Sequence, residues 1–336
     1  MEIVNDKLVY GCTLTKEQFD ELKYRPENAH LDETEEYYGI IEDPSWGIST
    51  DDVPTPIPEN YNNATTAEDV EAAIEERGEE AEIAATSADA VDALSGKTVK
   101  NIIIEPAEGE TIDINTNVTF NATENITIDG ITVSGEKGSS NAKVLFDSQE
   151  VTVKNVEDGE GQTVYNMFEQ KQNGEELNEF TAANVEISES TMKHNVFNIY
   201  RPAANAEIVI RNCNFTLDAD NSNILRLANY ANVDNVKITF ENVNWTYTEK
   251  PEDYDWSWAG LIIYQPASTD EALSGNLEHL QTWSFTFKNC KYNDVAVTAN
   301  NFGEENQVMY LYNIAGSGTT SDPVAEGLNI SFINSK

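Results

Sequence analysis

The stretch Ala206-Glu-Ile-Val-Ile-Arg-Asn-Cys-Asn-Phe-Thr-Leu217, followed by Val236-Lys-Ile-Thr-Phe-Glu-Asn-Val-Asn-Trp-Thr-Tyr247, decides the fold. In each copy apolar residues alternate toward an Asn (Ile208, Ile210, Asn212; Ile238, Phe240, Asn242). The alternation restarts just after it in shifted phase (Cys213, Phe215, Leu217; Val243, Trp245, Tyr247). A period of two marks a strand with one buried face. An Asn at the pause fits a tight bend, because Asn tolerates the left-handed backbone conformation that such a bend needs. Two copies 30 residues apart predict successive coils of a parallel β-helix.

Outward from this pair the motif recurs as Ile126-Thr-Ile-Asp-Gly-Ile131, Val151-Thr-Val-Lys-Asn-Val156, Val185-Glu-Ile-Ser-Glu-Ser190, Phe285-Thr-Phe-Lys-Asn-Cys290 and Ile330-Ser-Phe-Ile-Asn334. The bend positions are then Gly130, Asn155, Glu189, Asn212, Asn242, Asn289 and Asn334. Gly and Asn are the residues a left-handed site selects, and Glu189 is the misfit. A second strand class falls between copies: Lys143–Phe146, Val164–Phe168, Val196–Tyr200, Ile224–Leu227, Leu261–Tyr264 and Val308–Tyr312. About three strands per coil follow. A β-sandwich would also show short strands at regular spacing, but it would not require an Asn bend in each one.

The N-terminal third reads differently. Met1–Asn5 and Lys7–Tyr10 predict two short strands, and Thr15-Lys-Glu-Gln18 opens a helix with a capping box. Residues 1–63 are expected to form an arm: acids crowd Leu31 to Asp43, Pro54-Thr-Pro-Ile-Pro58 must run extended, and Tyr37, Tyr38, Trp46 and Tyr61 give it something to dock with. Residues 64–97 predict one long Ala- and acid-rich helix, capped by Thr65 or Thr66 and stopped at Gly96. Val70, Ile74, Arg77, Ala81, Ala84, Ala88 and Val91 follow a heptad spacing, so this helix is expected to join copies of the chain or to cap the first coil. Arg77, the mid-helix Gly78 and the dense negative charge count against a tight bundle. The β-helix is assigned to residues 98–336.

Twenty Lys+Arg against 60 Asp+Glu give a formal charge of −40, which argues against nucleic acid or an anionic membrane as partner. No apolar run approaches the ~18 residues of a membrane span, and Met1–Asp6 lacks the basic start and apolar middle of a signal peptide, so a cytoplasmic product is expected. Seven Asn-X-Ser/Thr matches are then by-products of an Asn- and Thr-rich strand protein. Cys12, Cys213 and Cys290 are too few for a disulfide framework or structural zinc site. Cys213 and Cys290 each follow a bend Asn and should face inward with Val243 between them. Two rungs of ~4.8 Å separate them too widely for a disulfide, so two buried free thiols are expected.

The repeated Ile/Val-x-Ile/Phe-x-Asn-Val/Cys motif, with its stacks of like residues and its Asn ladder, resembles the pectin-lyase-like right-handed β-helix superfamily over roughly residues 99–336. That superfamily includes polysaccharide lyases and hydrolases, adhesins and bacteriophage appendages, so the resemblance implies a fold before it implies a role. The order of parts, an arm, a helix and then a β-helix without a signal peptide, resembles a bacteriophage virion protein. It implies a non-enzymatic capsid decoration, head fibre or tail appendage, assembled in the host cytoplasm, docked on capsid or tail proteins through residues 1–63, and self-associating.

Candidates for chemistry are few. Asp218 and Asp220 with Asp253 and Asp255 could supply paired carboxylates for glycoside cleavage. Arg201, Arg211 and Arg226 are the candidate bases for a polysaccharide lyase of the resembled kind, although Arg226 alternates between apolar neighbours as an outward strand residue does. His30, His194 and His279 share no motif, and neither a metal nor a cofactor signature is present. The loop Glu249–Trp258 places Tyr254, Trp256 and Trp258 among acids, a platform for sugar rings or for a protein partner. A polysaccharide depolymerase or a carbohydrate-binding adhesin is therefore the alternative to the structural reading.

Overall fold

The computed structural model describes residues 2–4, 7–9, 57–135, 142–159, 166–188, 195–217, 223–228, 233–247, 260–265, 279–299, 309–311 and 329–333. The chain forms two units, residues 1–52 and 53–336. In the first, β1 (Glu2–Val4) and β2 (Lys7–Val9) pair antiparallel with Glu2 opposite Val9. The helix expected after Thr15 and most of the predicted arm lie outside the described residues, as do Asn334, the loop with Tyr254, Trp256 and Trp258, and the acids Asp218, Asp220, Asp253 and Asp255.

The second unit is mainly β and winds its strands into three parallel ladders, the organisation of a parallel β-helix. The pre-bend ladder stacks β3 (Asn62–Ala64), β4 (Glu82–Ala85), β5 (Thr98–Ile104), the latter half of β7 (Val118–Asp129), β10 (Glu150–Asp158), β12 (Leu177–Ile187), β14 (Pro202–Arg211), β17 (Lys237–Glu241), β20 (Ser284–Lys288) and β24 (Asn329–Ile333). The post-bend ladder stacks β6 (Asp113–Ile114), β8 (Thr132–Val133), the ends of β10 and β12, β15 (Asn214–Leu217), β18 (Asn244–Tyr247) and β21 (Lys291–Tyr292), against which β22 (Val295–Ala296) folds antiparallel. The third ladder runs from the first half of β7 through β9 (Ala142–Asp147), β11 (Asn166–Gln170), β13 (Asn195–Ile199), β16 (Asn223–Ala228), β19 (Gly260–Gln265) and β23 (Met309–Leu311).

Register converts the alternating pattern into columns. Ile102, Ile126, Val151, Phe180, Ile208, Ile238, Phe285 and Ile330 stack in one inward column. Two positions on, Ile104, Ile128, Val153, Ala182, Ile210, Phe240, Phe287 and Phe332 form the next. Phe240 and Phe287 lie 5.5 Å apart and nearly parallel, and Phe332 continues the stack at 5.4 Å. Each such side chain taken out of water contributes about 1.5–3 kcal/mol, so the columns are the main cohesive element between coils.

The single helix expected over residues 64–97 is instead helix, strand and helix. α1 (Ala67–Arg77) starts on a capping box between Thr66 and Asp69 and ends at Gly78, whose φ of 60° a helix cannot continue. The chain then enters β4, and α2 (Ala88–Leu94) follows from a Ser87 cap. Ile83 explains the break: on β4 it joins the inward column beside Ile102, completely buried. The heptad seam is therefore not a continuous stripe. Val70, Ala81, Ala84 and Val91 are buried in the chain's own core, Ile74 packs against it, and Ala88 is exposed at the start of α2. The two helices are the crossings between β3, β4 and β5, so the parallel ladder reaches back to Asn62 and includes the segment ahead of residue 98.

Among the described residues the expected bend positions hold with one correction. Gly130 has φ 69°, and Asn155, Asn212, Asn242 and Asn289 have φ 52–53°. Glu189, outside the described residues, is replaced as bend by Asn184, with φ 52°. Val151 pairs with Phe180, Val153 with Ala182 and Val156 with Val185, so the pre-bend strand of this coil is Phe180–Ala183. Val185 and Ile187 belong to the strand after the bend.

Candidate functional site

Two columns of Asn run up the stack. At the bend, the side-chain amide of Asn184 donates to Asn155 (3.0 Å), Asn242 to Asn212 (2.9 Å) and Asn289 to Asn242 (3.2 Å). The column is headed by Asp129, which accepts from Asn155 at 2.6 Å. At the start of the third-ladder strands, Asn195 donates to Asn166 (2.6 Å) and Asn223 to Asn195 (3.1 Å), and all three are buried. These columns tie successive coils together and consume their own donors, which makes them scaffold. A groove of about 380 Å³ lies beside the bend, walled by Thr132, Glu157 and Glu186.

At β13 the third ladder is buried on both faces. All five residues of β13 are buried. Phe197 faces inward, stacked on Phe168 and edge-on to Phe180. Val196 and Asn198, on the opposite face by alternation, are nonetheless completely buried, as are Met167 and Ile224 in neighbouring coils.

On this outward face Glu169, Asn198 and Arg226 occupy one column on three consecutive rungs. The Asn198 amide donates to Glu169 and to the Tyr200 hydroxyl, both at 3.1 Å, and Asn166 also donates to Glu169. Arg226 reaches the Tyr200 hydroxyl. Burial holds the Tyr200 phenol above its ordinary range, with the Glu169 charge acting in the same sense and Asn198 and Arg226 opposing it. Tyr200 is therefore a proton donor at neutral pH. The carbonyl oxygen of Asn198 is buried without a hydrogen-bond partner. A carboxylate, a phenol, a guanidinium and an orphan amide oxygen thus converge on one patch, with Asn198 as its floor and the other three half-buried around it. An unpaired buried acceptor costs about 1–3 kcal/mol.

No protein-family model, curated protein or solved structure matches the chain.

Of the arginines singled out by sequence, only Arg226 joins this patch. Arg201 donates to the Gly174 carbonyl (2.8 Å) and pairs with Glu176 (3.3 Å), bracing the loop that Gln170 holds from beneath. Arg211 stands in register with Glu241 in the column preceding the bend. His279 pairs with Asp234 at 2.7 Å, while His30 and His194 lie outside the described residues. Cys213 and Cys290 are free and buried, and burial pushes the Cys290 thiol up to about 11. No cluster of three or more metal-ligating side chains occurs among the described residues. Glu169, Asn198 and Tyr200 escaped the sequence reading, although the aligned runs Asn166-Met-Phe-Glu-Gln, Asn195-Val-Phe-Asn-Ile and Asn223-Ile-Leu-Arg-Leu carry the signal.

Proposed function

We propose that the chain is a non-enzymatic structural component of a bacteriophage virion, a capsid decoration, head fibre or tail appendage. Its β-helix is right-handed and projects from the particle, and residues 1–63 dock on capsid or tail proteins. It self-associates and is assembled in the host cytoplasm. The observation that supports this reading best is the parallel ladder running from Asn62 to Ile333 with hydrogen-bonded Asn columns along it. Ten rungs in the pre-bend ladder, at ~4.8 Å each, make a rigid stack roughly 43 Å tall, a form suited to display. Density-gradient purification of particles from the source strain tests it. The chain should band with intact particles and be labelled on them by antibody, and a chain lacking residues 1–52, which leaves the ladder from β3 onward whole, should fold but stay off them. A chain absent from purified particles overturns the reading.

A second reading, a carbohydrate-binding adhesin or a polysaccharide lyase or depolymerase on the same scaffold, is favoured by the orphan oxygen of Asn198 beside Glu169, Tyr200 and Arg226. Incubation with bacterial capsular and pectic polymers tests it through retention on the polymer or shortened chains. Loss of either signal in Arg226→Ala supports this reading, and no signal from the wild-type chain removes it.

A further inference from the structure

At the head of the bend column four side chains from three consecutive coils meet around one carboxyl. Asp129 is 2% exposed. Its Oδ2 lies 3.0 Å from the Lys154 ammonium, whose side chain is only 13% exposed. Its Oδ1 accepts from the Asn155 amide at 2.6 Å. Glu105 sits one residue beyond Ile104, which pairs with Ile128, so it stands beside Asp129 in the same column. Its Oε2 is buried and has no hydrogen-bond partner.

We propose that Lys154 and Asp129 condense to an intramolecular amide that staples two successive coils where the Asn column begins. Each component of an acyl transfer has a residue in place. Lys154 Nζ is the nucleophile and Asp129 Cγ the electrophile, held at contact distance so that the reaction is effectively unimolecular. The Asn155 N–H points at the oxygen that becomes the oxyanion of the tetrahedral intermediate. Lys154 first passes one proton to Asp129 Oδ2 across their 3.0 Å contact, which leaves a neutral amine and a carboxylic acid, and after the attack Glu105 takes the second proton from the nitrogen and delivers it to the departing hydroxyl. Overall an ammonium and a carboxylate give an amide and one water, with no oxidant, metal or cofactor. Burial, joined by the Asp129 charge, pushes the Glu105 carboxyl up to about 7, which suits it to exchange protons in both directions at neutral pH. The burial that lets this reaction proceed also keeps external substrates out.

The test is the mass of the denatured full-length chain together with fragmentation of its peptides. The expected result is a chain lighter by one water, with the Asp129 peptide joined to the Lys154 peptide, and no link in Lys154→Arg. Glu105→Gln, checked for folding by circular dichroism, should form the link at least roughly a hundredfold more slowly. Asn155→Gly, which keeps the backbone of the bend, should also slow it. Separate unmodified Asp129 and Lys154 peptides from the folded wild-type chain overturn the proposal and leave an ion pair. A lost water confined to the Asp129–Gly130 peptide overturns it too, since that marks ring closure on the backbone.

Discussion

Asn184 and Asn155 occupy equivalent bends 29 residues apart, each with φ 52°, and the Asn184 side-chain amide donates to Asn155 Oδ1 at 3.0 Å. One residue type thus meets two demands: its backbone accepts the left-handed conformation, and its side chain bonds to the coil before it. Asn184→Ala should lose both, for about 1–2 kcal/mol of backbone strain plus about 1 kcal/mol of hydrogen bonding. Asn184→Gly should lose only the second. Urea midpoints for the two variants should therefore fall in the order wild type, Gly, Ala. Equal midpoints for Gly and Ala would remove the backbone argument.

The phenylalanine stack predicts a gradient along the solenoid. Phe287 is completely buried between Phe240 and Phe332, whereas Phe332, on the last described rung, is only partly buried. Phe287→Ala should cost about 3–5 kcal/mol through lost burial and the cavity left behind. Phe332→Ala should cost roughly half of that, because less area leaves water. Chemical denaturation of both variants checks the ratio.

Stability should also depend on pH through Glu105. Its carboxyl is raised from 4.5 to about 7 in the folded chain, first by burial and then by the Asp129 charge, with Lys154 opposing. A folded pKa above the unfolded one means that the fold favours the protonated form. The contribution is complete below about 4.5 and is lost as pH rises through about 7. Glu105→Gln should thus match the wild type near pH 4 and exceed it at pH 8, by about 1 kcal/mol once solvent screening of a half-exposed group is allowed for. Burial, the larger cause, acts whether or not Asp129 is charged, so the sign is the same in a condensed chain. Thermal melts across this range decide it, and a wild type gaining stability from pH 5 to 8 relative to the variant would contradict it.

The columns and bends were legible because both are written in local residue types at a fixed phase: alternating apolar residues, then Asn. The coil around Asn184 hides its bend for a local reason. Its pre-bend strand, Phe180-Thr-Ala-Ala, puts Ala182 where other coils put Ile, Val or Phe, while Val185 and Ile187 after the bend look like a fresh start. The helix over residues 64–97 was overextended because Ala81, Ala84 and Ala85 are good helix formers, and only the vacancy beside Ile102 and Ile104 makes a strand there more favourable. The patch around Asn198 was out of reach for a different reason. Glu169, Asn198 and Arg226 lie 28 to 29 residues apart, and only cross-coil register brings them into one column.

That patch supplies the sharpest separation of a brace from a binding site. Asn198 is completely buried and donates to both Glu169 and Tyr200, so Asn198→Asp would replace a donor with a buried carboxylate beside the half-buried Glu169. The variant should be destabilised by about 3 kcal/mol at neutral pH and recover part of this when acidified. That loss follows from the packing alone. Arg226→Ala and Tyr200→Phe act on half-buried groups at the rim and should change stability by less than about 1 kcal/mol each. If the patch takes a sugar hydroxyl on the Asn198 oxygen, both rim variants should weaken binding of capsular or pectic oligosaccharides about tenfold or more while melting like the wild type. Calorimetric titration reads the first quantity and thermal unfolding the second. Rim variants that lose stability as much as Asn198→Asp would make the cluster a brace for the third ladder, and a loss of affinity at unchanged stability would make it a site.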